Sequence, residues 1–444
     1  MDTRIKTFAK YASLSILGML GVSCYILADT FFVSLGLGKD GLAALNLAIP
    51  VFSVMHGAGL MLGMGGATRF AILKSRGETK KSGSVFTASL ILAAAFSVLF
   101  FLAGIFFAGP LAAVLGAEGE IFSLSKIYIR VLLLFSPAFM LNNVLLCFVR
   151  NDGRPQLAMA AMLTGNFSNI VLDYVFIFPC GMGMFGAILA TGLSPVIGSL
   201  IVSVHFFTKK CTVRAASPRP FPKNARACFT LGVPSFVEQI SSAVVVLIFN
   251  TAILRMAGSA GVAAYGVIAN ISLVVIAVFT GLAQGVQPLV SRARGQNRPQ
   301  DTKKYFQYSA ATALAAALLF YLILFFFAAP ITDIFNSEKD ETLEKIAVYG
   351  LRLYFIGAPF AGMNIVFTAF FTASENPLPA HIVTLLRGIF VIVPAALVFA
   401  ALWGLTGIWL AFPATEATVL IVALLLFRRY RPRIFTEEHI QNPL

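Results

Sequence analysis

The chain has 444 residues, of which 58% are hydrophobic and only 12% charged, with a mean hydropathy of +0.87 and a formal net charge of +14. Soluble domains carry about 25% charged residues, and a chain with half that density cannot cover a water-exposed surface. Composition therefore excludes a soluble enzyme, a disordered chain and a basic nucleic-acid-binding module, and leaves a polytopic membrane protein.

A helical span needs about 20 apolar residues, and runs of that kind fill most of the sequence. They do not alternate as the roughly 10-residue strands of a membrane β-barrel would, so the fold class is an all-α membrane protein. The basic N-terminal stretch Met1–Lys10 runs into apolar sequence with no small-x-small cleavage site, and reads as the start of a retained span rather than a signal peptide. Spans are predicted at 8–34, 42–66, 85–109, 127–149, 157–179, 184–207, 229–254, 262–288, 306–330, 347–371, 380–402 and 405–427. Within the second, the glycine-rich run 57–66 (GAGLMLGMGG) reads as a close helix contact, not a phosphate loop. The five cysteines (Cys24, Cys147, Cys180, Cys211, Cys228) form no CxxC pair or disulfide framework. The four histidines (His56, His205, His381, His439) are equally scattered, against a metal centre.

Orientation follows from where the basic residues fall. With the N-terminus inside, 26 of the 33 Lys and Arg lie on the cytoplasmic side, six of them in the central loop (Lys209, Lys210, Arg214, Arg219, Lys223, Arg226). The acidic cluster Glu338, Asp340, Glu341 and Glu344 falls outside. Both termini are thus placed in the cytoplasm, in a multi-pass membrane protein. The positive charge reads as a topology signal and a contact with anionic lipid, with no nucleic-acid partner.

The sequence repeats. Arg130, Pro137, Asn142 and Pro155 recur as Arg352, Pro359, Asn364 and Pro377, each offset by 222 residues. Gly183 and Gly186 recur as Gly404 and Gly407, and Ala43-Ala44 as Ala263-Ala264, at nearly the same offset. The domains are read as an N-terminal six-helix lobe (1–207), a cytoplasmic linker (208–228) and a C-terminal six-helix lobe with a short tail (229–444). An even count per lobe makes them parallel repeats, a plan suited to alternating access.

Ionisable groups inside spans are costly and mark function. Four acids fall there: Asp29, Asp173, Glu238 and Glu416. Span 5 sets Asn166, Asn169 and Asp173 on one helical face, and span 6 returns beside it with Thr191 and Ser194. Asp29 is placed at a similar depth. Such a hard-oxygen cluster would hold Na⁺, with Asp29 and Asp173 as its carboxylates, or share protons between the two acids. By the repeat offset Asp29 falls on Asn250 and Asp173 beside Pro394, so one ion site is expected, in the N-terminal lobe. Asn142, Asn166, Glu238, Asn270, Gln284 and Glu416 are candidates for a substrate path. No P-loop with a lysine, HExxH or GxSxG occurs, so the chain reads as neither an ATPase nor an enzyme.

Three stretches carry a family resemblance: ADTFFVSLG (28–36), NFSNIVLDYVFIF with GMFGAILAT (166–178, 183–191), and AYGVIANI with QGVQPLVSRARGQN (264–271, 284–297). Together they resemble the multidrug and toxic compound extrusion (MATE) family, in its bacterial MepA-like and DinF-like branch, over essentially the whole chain. The resemblance implies twelve helices in two pseudo-symmetric six-helix bundles. It implies a secondary antiporter that exports lipophilic, often cationic drugs in exchange for H⁺ or Na⁺, with no other cofactor, acting as a monomer among membrane lipids. It also implies a cation site of Asp29, Asn169, Asp173, Thr191 and the carbonyl of Ala187. Another branch of the family uses a seventh-helix Glu, matched by Glu238, with a tenth-helix Asp; here Asn364 stands in span 10 instead. Many relatives bend the first helix at a proline, where this chain has only Gly18 and Gly21. The alternative reading is a flippase or exporter of a lipid-linked precursor, for which intramembrane arginines are too few.

Overall fold

The computed structural model describes residues 3–336 and 339–435, so Glu338 and His439 lie outside the described residues. The elements in order are α1 (Thr3–Ser75), α2 (Thr79–Phe106), α3 (Ala108–Val114), α4 (Gly119–Leu134), α5 (Ser136–Asn151), α6 (Pro155–Ile177) and α7 (Gly183–Ser203). There follow α8 (Phe221–Gly295), α9 (Pro299–Phe326), α10 (Ala328–Phe335), α11 (Glu341–Tyr354), α12 (Ala358–Ala373), α13 (Pro377–Leu385) and α14 (Ile392–Phe435). Short 3₁₀ turns follow α7 (Val204–Phe207) and join α11 to α12 (Phe355–Gly357), and a π turn (Leu386–Phe390) joins α13 to α14. Backbone in lipid must satisfy its own hydrogen bonds, which is why helix is the only regular element among the described residues.

Three helices are too long for one crossing, and each is broken at a glycine. Gly38 (φ 65°, ψ −154°), Gly258 (φ 62°, ψ −155°) and Gly404 (φ 60°, ψ −136°) divide α1, α8 and α14. Only glycine enters that region cheaply. The pair α4–α5 bends by 49°, with Pro137 in the first turn of α5. Its counterpart α11–α12 is interrupted ahead of Pro359, in the first turn of α12. Among the described residues, counting each broken helix as two spans and each joined pair as one gives twelve spans, six before α8 and six from α8 onward. The repeat is thus visible in the backbone: Gly38 and Gly258 are 220 residues apart, as are the starts of α3 and α10, while Pro155 and Pro377 open α6 and α13. Proline suits the first helical turn, where its missing N–H would have no partner.

The chain folds into two compact units, Leu17–Ile240 and Ser241 onward together with the residues up to Ile16. The first packs around Met55, Leu62, Phe70, Ile129 and Phe148, the second around Phe249, Phe279, Phe355, Phe371 and Trp409. Leu99, Phe106, Leu318 and Phe326 are exposed, as lipid-facing side chains of a membrane protein are.

The loop after α7 is tied down by one buried acid. Asp152, at the end of α5, accepts hydrogen bonds from Lys74, from the hydroxyl of Thr212, from the Thr212 N–H (2.9 Å) and from His205 Nε2 (2.6 Å). Burial alone would raise its pKa; the donors Lys74, Thr212 and His205 more than offset that and hold the carboxyl below the usual carboxylate range. Further along, Ser84 donates to the Arg219 carbonyl (3.2 Å) and accepts from Asn224 (2.7 Å). Helix α8 starts at Phe221, within the 208–228 stretch read as a linker.

Candidate functional site

The site forms where the first limb of α1 runs along α6. Glycines make the approach close. A Cβ on Gly21 would lie 2.6 Å from Leu163 and one on Gly36 would lie 2.4 Å from Ile177. The contacts advance together along both helices, so Asp29, between those glycines, comes level with Asp173, between those α6 residues. Their carboxyl groups lie within hydrogen-bonding reach of each other. Asp29 is 7% exposed and Asp173 fully buried. The first limb of α1 runs unbroken to Gly38, so bending at a proline plays no part in placing Asp29.

Helix α7 closes the other side. Asn169, one turn before Asp173, is fully buried. Two amide orientations are open to it. One gives a long 3.5 Å bond to Thr191 Oγ1. The other satisfies both ends: Nδ2 donates to Asp173 Oδ2 (3.2 Å) and Oδ1 accepts from the Thr191 N–H (3.2 Å). The second is preferred, because the first turns the amide oxygen toward other acceptors. Thr191 Oγ1 donates to the Ala187 carbonyl (3.2 Å), and the hydroxyl of Tyr128, on α4, is within hydrogen-bonding reach of Thr191. Five oxygen-bearing residues therefore converge: Asp29, Asn169, Asp173, Thr191 and Ala187.

Part of the cluster is unsatisfied. Asp29 Oδ1, Asp173 Oδ1 and Asn166 Nδ2 are buried with no hydrogen-bond partner. A buried polar atom left unpaired costs about 1–3 kcal/mol, and such atoms need a reason when a fold retains them. Among the described residues no lysine or arginine bonds to either acid. Two free carboxyl oxygens beside hydroxyl and carbonyl oxygens suit a hard monovalent cation, and two carboxyls in contact suit a shared proton.

The comparisons with known proteins follow the same division. The MatE family model matches residues 15–175 and 234–398, more than half the chain. The chain belongs to the MatE family. It is 26% identical over 425 residues to the multidrug export protein MepA of Staphylococcus saprophyticus, covering 95% of this chain and 93% of that protein. It is 25% identical to MepA of Staphylococcus aureus, covering 94% and 92%. Among solved structures it is similar to the outward-facing form of a multidrug resistance MATE transporter of the MOP superfamily (TM-score 0.91, 26% identity, 98% of this chain and 97% of that one). It is equally similar to a MOP superfamily transporter from Pyrococcus furiosus whose binding pocket is described as reversed in polarity (TM-score 0.90, 26% identity, the same coverage).

Of the remaining candidates of this MatE chain, only Asn166 borders the cluster. Asn142, on α5, is half-buried with its side-chain oxygen unpartnered, 2.8 Å from where a Cβ on Gly198 would lie. Asn166 sits two turns before Asp173 at the edge of the site, 9% exposed. Glu238 and Asn270 are half-buried on α8, and Gln284 is 9% exposed on the same helix. Glu416 lies in the other unit, 3% exposed. Its Oε2 accepts from Asn364 Nδ2 (2.7 Å) and its Oε1 from Arg387 Nη2 (2.8 Å) and Nε (3.2 Å). Asn364 is thus a donor to an acid from another helix.

Two participants escaped the sequence reading. Tyr25 and Tyr128 both lie in the electrostatic field of Asp29 and Asp173. Tyr25 carried a usable signal, since it stands one turn before Asp29 on the same face. Tyr128 carried none, coming from a helix far away in sequence.

Proposed function

We propose that this MatE protein is a secondary multidrug exporter that expels lipophilic, often cationic compounds by alternating access in exchange for H⁺ or Na⁺. The observation that carries the reading is the pair Asp29–Asp173: two carboxyls buried within hydrogen-bonding reach of each other, with no basic side chain among the described residues bonded to them and one oxygen of each without a partner. Two negative charges in a low-dielectric span are tolerable only if a cation or proton joins them. The MepA relatives, named as multidrug export proteins, support the substrate class.

The coupling cation binds at Asp29 and Asp173, with Asn169, Thr191 and the Ala187 carbonyl completing its oxygen shell, and it favours the state with lower drug affinity. An ion that bound both states equally would shift nothing. Asn142, Asn166, Glu238, Asn270 and Gln284 are the polar positions along the substrate path. Both termini face the cytoplasm, since the basic loops, the central one with its six Lys and Arg among them, then lie inside and meet anionic lipid. The unit of function is one chain in the plasma membrane. The test is drug transport in proteoliposomes with an imposed pH gradient or an imposed sodium gradient, each alone. Wild type responds to one of them, and Asp29→Asn and Asp173→Asn, at matched protein content, respond to neither. Undiminished ion-driven transport by both variants would overturn the assignment.

A further inference from the structure

The two units treat their intramembrane acids in opposite ways. In Leu17–Ile240 the carboxyls of Asp29 and Asp173 keep one free oxygen each. In the other unit Glu416 is the one buried acid among the described residues, and neither of its oxygens is free. Arg387 takes Oε1 through two nitrogens, and Asn364 takes Oε2 while also bonding the Glu416 carbonyl (2.9 Å). The guanidinium is itself largely buried, its side chain 12% exposed. Arginine keeps its charge under all physiological conditions, so this carboxylate stays neutralised by a cation that cannot leave. The backbone differs at the same place. Arg387 sits in the π turn Leu386–Phe390, whereas α6, the equivalent helix of the first half, is uninterrupted. Such turns add a residue to the helix and re-aim a side chain.

We propose that Arg387 is a tethered counter-cation: it occupies Glu416 permanently, so Glu416 contributes no coupling ion and every exchanged cation is carried by Asp29 and Asp173. This rests on the function proposed above and adds the stoichiometry of the exchange. Removing the guanidinium alone leaves a buried carboxylate in need of a charge, and the exchanged ion is the available one. Removing both charges leaves nothing to neutralise, and replacing a buried pair by uncharged side chains is often tolerated.

The experiment is a zero-flux measurement in proteoliposomes with the membrane potential shunted. The logarithm of the drug ratio that stops net flux is plotted against the logarithm of the imposed ion ratio, and the slope is the number of ions exchanged per drug, whatever the rate. Each added ion contributes about tenfold in drug ratio for a tenfold ion gradient. Arg387→Met/Glu416→Gln is expected to keep the wild-type slope, and Arg387→Gln to raise it by one. A lower slope in the double variant, or an unchanged slope in Arg387→Gln, would overturn the proposal. For a variant too slow to give a slope, counting Na⁺ bound and protons released per purified chain reads the same quantity, with the same outcomes deciding. Failure of the parent reading looks different: Asp29→Asn/Asp173→Asn would then still exchange drug for ion.

Discussion

Helix contact in the first unit makes a strong demand at Gly65 and Gly232. A Cβ on Gly65 would lie 2.0 Å from the Cys228 carbonyl oxygen and 2.8 Å from the Gly232 nitrogen. One on Gly232 would lie 1.9 Å from the Met61 carbonyl oxygen. The obstacles are backbone atoms on both sides, so no side chain can swing aside. For alanine at Gly65 the second limb of α1 and the start of α8 must separate until the 2.0 Å approach opens to the 3.4 Å at which ordinary contact begins. Overpacking of this kind costs about 1–3 kcal/mol, and a rigid backbone collision belongs at the top of that range. Gly266→Ala is the control: nothing lies within 4 Å of its added Cβ, and alanine in a helix interior is favoured over glycine by about 0.5–1 kcal/mol. Purified variants heated in detergent and followed by size-exclusion chromatography should rank Gly266→Ala at or above wild type, with Gly65→Ala and Gly232→Ala several degrees below. If Gly65→Ala and Gly232→Ala melted with wild type, the close-contact reading of 57–66 would be refuted.

Other expectations concern the tied loop and the proposed cation site. Asp152→Asn should lower stability by about 2–3 kcal/mol, by removing a buried acceptor of charged hydrogen bonds, and should expose 208–220 to proteolysis. Because the folded carboxyl titrates below its unfolded value, its contribution is complete above the unfolded pKa of about 3.9 and fades as pH falls through the folded one. The melting gap between variant and wild type should therefore hold from pH 8 to 5 and close only below about pH 4; a gap that closed near pH 6 would contradict the assignment. Thr191→Val keeps the side-chain volume and removes the hydroxyl that bonds the Ala187 carbonyl. Apparent cation affinity should fall about tenfold, equivalent to one hydrogen bond of about 1–1.5 kcal/mol, with drug affinity in the absence of the cation unchanged. Equal loss of both would assign Thr191 to packing alone.

What the sequence disclosed and what it withheld divide along physical lines. Gly404, Pro137, Pro155 and their repeats were legible because each performs a backbone task tied to its residue type: a left-handed φ, or a start without an N–H. Asn169 and Asp173 were legible because helical periodicity fixes which residues share a face, and an acid within an apolar run is too costly to persist without a role. That Asp29 lies opposite Asp173 depends on Gly21 and Gly36, whose role shows only when α6 is seen beside them. The ties Lys74–Asp152 and Asp152–His205 join residues 78 and 53 positions apart, and Arg387–Glu416 crosses 29. No periodicity links such partners, so the pairing of Glu416 with Arg387 and Asn364 could not be read ahead of the structure. The short helices α3 and α10 begin at the ends of predicted spans and are too brief to cross a membrane themselves.

The central claim is that a cation on the Asp29–Asp173 pair and the drug oppose each other through one conformational equilibrium. The most direct measurement is the drug dissociation constant of the purified protein with and without the coupling cation, in wild type and in Asp173→Asn. The cation is expected to weaken drug binding severalfold in wild type and to leave it unchanged in the variant, as reciprocal linkage requires. A cation effect of the same size in both proteins would contradict it.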